Sequence, residues 1–411
     1  MIAIVGGGLA GLACARKLHL AGKNFGLFEA AACVGGRQRT SLKDGFILDH
    51  GFQVVLSSYD AVAELCDVRG LQPCWFESGA LLHDGVRMTR LASPLENPIV
   101  ALLSAALSIA DKLRLAALGA ELLLTPSRRL VARSASAGDV STRAFLKQRG
   151  FSEAFFSRFA QPFFGGVLLD SGLETSAGLF LYYLKKFLIG RAWIPAGGIQ
   201  ALPASIAGRL PASSLRWNSR VASISRDPLG VVLENGDTIR ADRIVLALDE
   251  PSLCRLLDLP APPVARSVSV VYFKTQKSLY DRACIVLPEG GNRLVRHFVQ
   301  ITNIAPGFAP QGWHLISATV LDAAGRPAEQ LAADAAREIA GVFPRAAGAL
   351  EHLETIHVPY AVPAQPPGFA ARNPFPDLPR NVYACGDWER GASIEAALRS
   401  GIETAKRVLC G

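Results

Sequence analysis

Charge is scarce in this chain. Of its 411 residues, 19% are Asp, Glu, Lys or Arg and 50% are hydrophobic, against roughly 25% charged in an average soluble chain. That balance excludes a disordered scaffold, which cannot bury enough apolar surface to fold. It suits a cavity-bearing enzyme or a protein that touches a membrane. The net charge of +8 comes from 43 Lys and Arg against 35 Asp and Glu. These charges are scattered, with no basic block and no aromatic–basic alternation, so no nucleic-acid partner is expected. The eight cysteines form no CxxC pair and keep no regular spacing, which reads as reduced, mostly buried thiols. Long hydrophobic runs are missing too. The longest uncharged apolar stretch, Pro98 to Ala110, falls short of the about 20 residues that span a bilayer. A strand opening at Ile2 leaves no room for a leader, so the expectation is a cytoplasmic protein, soluble or peripherally attached to a membrane.

What is present begins at once. Ile2 to Val5 is an apolar run ending at glycines, as a buried parallel strand does. Gly6, Gly8 and Gly11 then supply G-x-G-x-x-G around Leu9 and Ala10, a helical stretch runs from Leu9 to Ala21, and Gly22 stops it. A second strand, Phe25 to Phe28, ends on Glu29, 18 positions after Gly11. In this order Gly6 makes the tight turn, Gly8 admits a pyrophosphate to the backbone, and Gly11 lets helix and sheet pack closely. The helix N-terminus offers free N–H groups and a positive dipole end to phosphates. Glu29 is placed to accept from a ribose hydroxyl, and its carboxylate repels a 2′-phosphate. The motif by itself does not separate FAD from NAD.

Glu29 is followed by five residues and then Gly35-Gly36-Arg37, and later by Asp49-His50-Gly51-Phe52-Gln53. Near the other end, the short apolar run Asn381 to Cys385 leads into Gly386-Asp387, then into a helix that includes Ala396 to Gly401. These segments resemble the flavin-containing amine oxidase and phytoene desaturase superfamily, nearer its desaturase and saturase branch. The resemblance implies bound FAD, with Gly35, Gly36 and Arg37 closing over the pyrophosphate and Gly51 and Phe52 beside the isoalloxazine ring. It implies that Asp387 holds the ribityl or pyrophosphate region. Ser393, Ile394 and Ala397 would then stand at a helix start aimed at the flavin's pyrimidine edge, where N–H groups stabilise negative charge.

The middle reads as a meander of three strands: Leu215 to Ser225, Gly230 to Leu233, and Ile239 to Ala247 after an Asn235-Gly236 hairpin turn. In the resemblance, the backbone near Val221 meets the adenine, and Pro195 to Ile199 enters the same domain. The fold expected is α/β, a Rossmann-type FAD-binding domain of the glutathione-reductase type with a mixed sheet-and-helix substrate domain. The FAD-binding domain is expected to be discontinuous (1–75, 193–261, 374–411), with 76–192 and 262–373 as the substrate domain. Ile99, Leu102, Leu103, Ala106, Ile109 and Leu113 recur at helical spacing, as domain core rather than a membrane-dipping helix. The dense aromatics Phe155, Phe156, Phe159, Phe163, Phe164, Phe180, Tyr182, Tyr183 and Phe187 either line a cavity for an apolar ligand or fill a helical core. Strands are expected over Ser267 to Phe273 and Trp313 to Val320, and a helix over Ala328 to Val342.

No second G-x-G-x-x-G follows a strand, so the substrate itself would reduce the flavin, and O2 or a quinone would reoxidise it. Superfamily amine oxidases usually place a lysine near flavin N5 and an aromatic near the C-terminal helix start. Matching Val271 to Lys274 to the relevant strand puts Val268 at the lysine position, and Ser393 falls near the aromatic one, with Trp388 as a candidate substitute. The expectation is hydride transfer between an apolar, polyene- or isoprenoid-like substrate and flavin N5. His50 and Gln53 are the candidate catalytic residues, His50 as proton donor or backbone hydrogen-bonder. An amine or amino-acid oxidase and a non-catalytic flavin-binding partner are the alternatives.

Overall fold

The computed structural model describes residues 1–92, 107–260, 262, 265–289, 293–321, 323 and 325–410. Ile2–Val5 is apolar on both faces and buried throughout, the pattern of a strand covered on both sides. It lies at the centre of a five-stranded parallel sheet, ordered Leu215–Arg216, Phe25–Phe28, Ile2–Val5, Arg243–Leu246, Val382–Ala384. Because every pair is parallel, the chain leaves Val5, Phe28 and Ala384 at the same edge. Gly6, Glu29 and Gly386 therefore gather where open α/β sheets bind their ligands.

Two helices cover one face of this sheet, Leu9–Leu20 from the first turn and Ile394–Cys410 from the far end of the chain. Their close approach depends on missing side chains. A Cβ on Gly11 would stand 2.0 Å from the carbonyl oxygen of Gly6, and one on Gly401 would stand 2.0 Å from that of Ala10. The first and last segments are thus locked together by glycine. Around them Leu12, Leu18, Leu27, Val245 and Leu398 form one buried cluster, each such side chain contributing about 1.5–3 kcal/mol by leaving water.

The expected meander is divided differently. Leu215–Arg216 joins the parallel sheet beside Phe25–Phe28, and the antiparallel unit is Val221–Arg226, Leu229–Leu233 and Thr238–Arg240. Asn218, at φ 50°, turns the chain between them, and Ser219 N donates to Glu29 O at 2.8 Å. The expected third strand also splits, because Ala241 and Asp242 bond back to Leu229 and Met1 and release Arg243–Leu246 to the parallel sheet. Apolar alternation falters at both breaks, at Ser219 and at Arg243, but it does not say which sheet each piece joins.

A seven-stranded mixed sheet faces this unit, ordered Glu351–Pro363, Ala265–Thr275, His314–Val320, Val295–Gln300, Ile285–Pro288, Gly79–His83, Met88–Ala92. Its pairs are antiparallel except Ile285–Pro288 with Gly79–His83. Ala328–Val342, a helix with the expected bounds, packs Leu331, Ala335 and Ile339 into a cluster with Val271, Phe298 and Ile316. The helices Ile109–Leu124 and Ala177–Ile189 form a further layer with Phe156–Phe164, which winds as a π-helix around Pro162, a residue with no N–H to donate. Of the apolar stripe expected to be core, Ile99 to Ala106 lies outside the described residues. Ile109 and Leu113 are corrected by the structure: they are 76% and 66% exposed.

Candidate active site

One continuous cavity of about 1340 Å³ runs from the glycine turn into the layer beneath the helices. It exceeds the roughly 300–1,000 Å³ of a usual ligand pocket, and so has room for a dinucleotide and a second molecule. Gly6, Gly8, Leu9, Ala10, Glu29, Gly35, Gly36, Arg37, His50, Gly51, Phe52, Gln53, Val221, Gly386, Asp387, Ser393, Ile394 and Ala397 all line it. Gly11 does not. It stands behind the turn, against Gly6.

The cavity wall at the turn fits a dinucleotide. Gly8 precedes the helix Leu9–Leu20 without any side-chain cap, and a Cβ there would meet nothing within 4 Å. Free N–H groups at a helix start, facing a cavity, call for an anion. Glu29 is fixed by Gly7 N at 2.7 Å and Ala31 N at 2.8 Å, one on each oxygen, and its remaining lone pairs face the cavity. Gly35 N donates to Gly7 O at 3.0 Å, which seats the second glycine pair beside the first. Ser393 Oγ accepts from Ala396 N at 3.1 Å, holding the start of the C-terminal helix at the cavity edge.

Arg37 and Asp387 meet each other across nearly the whole length of the chain. The guanidinium makes a two-pronged ion pair, Nη1 to Oδ2 and Nη2 to Oδ1 at 2.7 Å each, and Nη1 also donates to Ala361 O at 2.9 Å. Burial works against its charge, but the Asp387 carboxylate outweighs burial and holds Arg37 above its ordinary range. Three of the five guanidinium donors are committed, leaving two. The resemblance gave both side chains to the cofactor, whereas the structure joins them in a strut that ties the Gly35-Gly36 loop to the last strand.

Gln53 is similarly committed. Its amide hydrogens go to Arg37 O at 2.9 Å and His50 O at 3.0 Å, and its oxygen accepts from Gln38 at 3.2 Å. It clamps the loop and has no proton to lend. His50 meets Ser41 Oγ through Nε2 at 2.7 Å, and burial, helped by Arg39, lowers its pKa. The carboxylate of Asp49 turns away from the cavity and accepts from Thr40 Oγ1 at 2.6 Å and Ile199 N at 2.9 Å. Burial pushes it up to about 6 in spite of those bonds.

Sequence reasoning missed His297. On the strand Val295–Gln300 it shares a face with Val299, while Val295, across a register shift, packs on the other side with Phe298; a polar residue on a buried face was the available signal. It lines the cavity, meets Thr319 Oγ1 through Nε2 at 2.9 Å, and packs edge-on to Phe52 at 5.0 Å. Burial pushes its pKa down to about 4, so it is neutral at pH 7.

Beyond Phe52 the wall is apolar. The aromatic cluster divides: Phe159, Phe163, Phe164, Tyr183 and Phe187 line the cavity with Leu115, Leu122, Leu184 and Leu188, while Phe155, Phe156 and Phe180 fill the core behind them. Phe159 and Phe163 stack at 5.5 Å, and Phe187 meets Phe163 edge-on at 5.4 Å. Glu77 and Lys112 are the charged side chains among the described residues of this half, and Glu77 is paired with Arg90 and Arg282. Val268 lines the cavity too. Trp388 does not serve as a cage residue: its indole donates to Leu248 O at 3.0 Å and its ring packs on Phe375 in the core. No group of side chains suited to a metal ion occurs among the described residues.

Fold and cavity together define a dinucleotide-binding protein whose cavity continues past the dinucleotide end into an apolar half. The chain belongs to the flavin containing amine oxidoreductase family, whose model matches residues 9–409, and its cofactor is FAD. It is 29% identical to protoporphyrinogen oxidase 2, chloroplastic/mitochondrial, of Arabidopsis thaliana over 40% of this chain and 32% of that one. It is 26% identical to putrescine oxidase of Kocuria rosea over 64% of this chain and 59% of that one. The chain therefore aligns with about a third of the former relative and less than two thirds of the latter. The solved structure of wild-type putrescine oxidase bound to putrescine shares the fold, with a TM-score of 0.72, 18% identity, and coverage of 100% of this chain and 99% of that chain. Among the described residues no helix is long and apolar enough to cross a membrane.

Proposed function

We propose that this FAD-dependent oxidoreductase acts on an apolar, polyene- or isoprenoid-like substrate, as a desaturase, saturase or isomerase does. The observation that carries the reading is the Phe- and Leu-lined chamber beyond Phe52, with Val268 in its wall. A substrate amine is a cation in water, and burying it there would cost several kcal/mol without a paired carboxylate. An apolar chain gains on entering, by about 25 cal/mol per Å² removed from water.

Bound FAD supplies the site that accepts or donates hydride, at N5. The chain's own part is to bind, orient and dry. The free N–H groups at Leu9 and Ala10 hold the pyrophosphate, and Glu29 takes a ribose hydroxyl. The Arg37–Asp387 strut and the Gln53 clamp keep Gly51 and Phe52 in place beside the chamber. His297, neutral and steadied by Thr319, is the polar group best placed to orient a substrate from within the apolar half. His50 sits closer to the FAD-binding loop. In the desaturase direction O2 or a quinone takes the electrons from the flavin; a saturase draws them from an external reductant, and an isomerase returns them to its own substrate.

The family and the resemblance to putrescine oxidase favour a second reading, an amine oxidase with an atypical site. Anaerobic bleaching of the flavin's visible absorbance separates the two. Bleaching by a lipid extract but not by amines is expected, and bleaching by amines alone would overturn the proposal.

A further inference from the structure

The helix Ile109–Leu124 has an apolar outer face. Ile109, Leu113, Leu123 and Leu124 are 76%, 66%, 49% and 86% exposed, and the alanines at 110, 116, 117 and 120 between them are exposed as well. Leu118 and Leu122 alone supply its buried apolar anchor. Large apolar residues normally reach a protein surface singly, and a contiguous patch marks a contact. This patch is also continuous with the chamber, because Leu113, Ala116, Ala120 and Leu123 belong both to the outer face and to the cavity wall. Directly beyond Leu124 the short helix Ser127–Arg133 exposes Arg128 and Arg129, and neither has an ion-pair partner among the described residues.

We propose that this face docks on an anionic lipid surface, its apolar side chains in the acyl boundary and Arg128 and Arg129 among the headgroups, so that substrate enters the chamber from the lipid. Apolar residues on one face with arginines at its edge are what such a surface binds. A second copy of the chain fits less well, because it would have to bring acids to the arginine pair. The acids of this helix are engaged: Glu121 with Arg149 at 2.9 Å, and Asp111 with Ser152. The route of entry rests on the apolar-substrate reading, but the docking itself does not.

The test is flotation of the FAD-loaded protein with phosphatidylcholine vesicles, with and without phosphatidylglycerol, in the absence of substrate. The wild type is expected to float with the anionic vesicles, and high salt to weaken it. Ile109→Glu with Leu124→Glu lowers binding about tenfold or more, and Arg128→Glu with Arg129→Glu lowers it severalfold. Neither Ile109 nor Leu124 lines the cavity, so flavin absorbance stays unchanged in that variant. The proposal is overturned if the wild type floats with neither vesicle or if I109E/L124E floats as well as the wild type. A wild-type dimer in sedimentation that this variant splits would also overturn it, and would give the face to a second copy. Failure of the substrate reading shows separately, as flotation by a protein whose flavin is bleached by amines and not by lipid.

Discussion

The two halves of the cavity are built by different means. Around the glycine turn the wall is backbone: free N–H groups, glycines that admit close approach, and Glu29 held by two amides. Beyond Phe52 it is side chains, chiefly Phe and Leu packed from the helices Ile109–Leu124 and Ala177–Ile189 and the π-helical turn. A pyrophosphate demands the same backbone geometry wherever it binds, so that half is written as short fixed motifs. An apolar ligand demands only volume and shape, and many residue combinations supply those. The first half therefore points to its ligand closely, and the second supports only the proposed class.

The sharpest way to break this contrast is to add one carbon to the backbone half. Gly11→Ala brings a Cβ within 2.0 Å of a backbone oxygen, and that oxygen belongs to the turn itself. The expected result is protein purified without flavin, read from the visible absorbance. Retention of stoichiometric flavin would show the turn to be softer than the account holds.

Next in size is the strut between Arg37 and Asp387. Asp387→Asn leaves the guanidinium without its counter-charge, and breaking a buried pair costs about 3–5 kcal/mol. Arg37 keeps 27% of its side chain exposed, which places the loss at the low end of that range. Denaturant unfolding of the holoenzyme measures it.

Two buried groups, Asp49 behind the cavity and His297 in its wall, pull stability in opposite directions with pH. Asp49 titrates at about 6 in the fold, above its unfolded value of about 3.9, so its contribution is full below that value and is lost as pH rises from about 4 to 6. His297 titrates at about 4, below its unfolded value of about 6.5. Its contribution is full above that value and is lost as pH falls toward 4. Each is worth about 3 kcal/mol, and in the wild type they largely cancel. Asp49→Asn keeps an acceptor for Thr40 and Ile199 while removing one titration. Its stability is then expected to fall by about 3 kcal/mol more than that of the wild type from pH 6.5 to pH 4. Unfolding curves across that range check the sign.

The smallest effect on bound flavin comes from the side-chain half. Phe159→Ala with Phe163→Ala enlarges the chamber and removes a stacked pair. KM for the apolar substrate is expected to rise about tenfold or more, with flavin content unchanged. A parallel loss of flavin would show that the halves are not separable.

What could be read from the sequence follows the same division. The glycine turn, Glu29, Gly35-Gly36 and the last strand with its helix were legible, because each is a local pattern with a local cause. The pairing of Arg37 with Asp387 was not, since the partners are 350 positions apart and either alone reads as a phosphate or ribityl contact. His297 was passed over in a strand that also carries Arg296 and Gln300, since no local pattern marks what lies in front of a strand face. The aromatics between 155 and 187 gave no means of choosing between core and cavity, and the structure uses them for both. The breaks at Asn218 and Ala241 were read through as single strands, although Asn218-Ser219-Arg220 and Asp242-Arg243 interrupt the apolar residues there, because strand alternation does not record which sheet a strand joins.

The central claim, a flavin half and an independent apolar half in one cavity, is tested most directly by anaerobic flavin bleaching in the wild type and the F159A/F163A variant side by side. The account predicts that lipid extract bleaches the wild type, that the variant needs about tenfold more lipid or fails to respond, and that amines bleach neither while both keep their flavin. Equal bleaching of both proteins by an amine would contradict it.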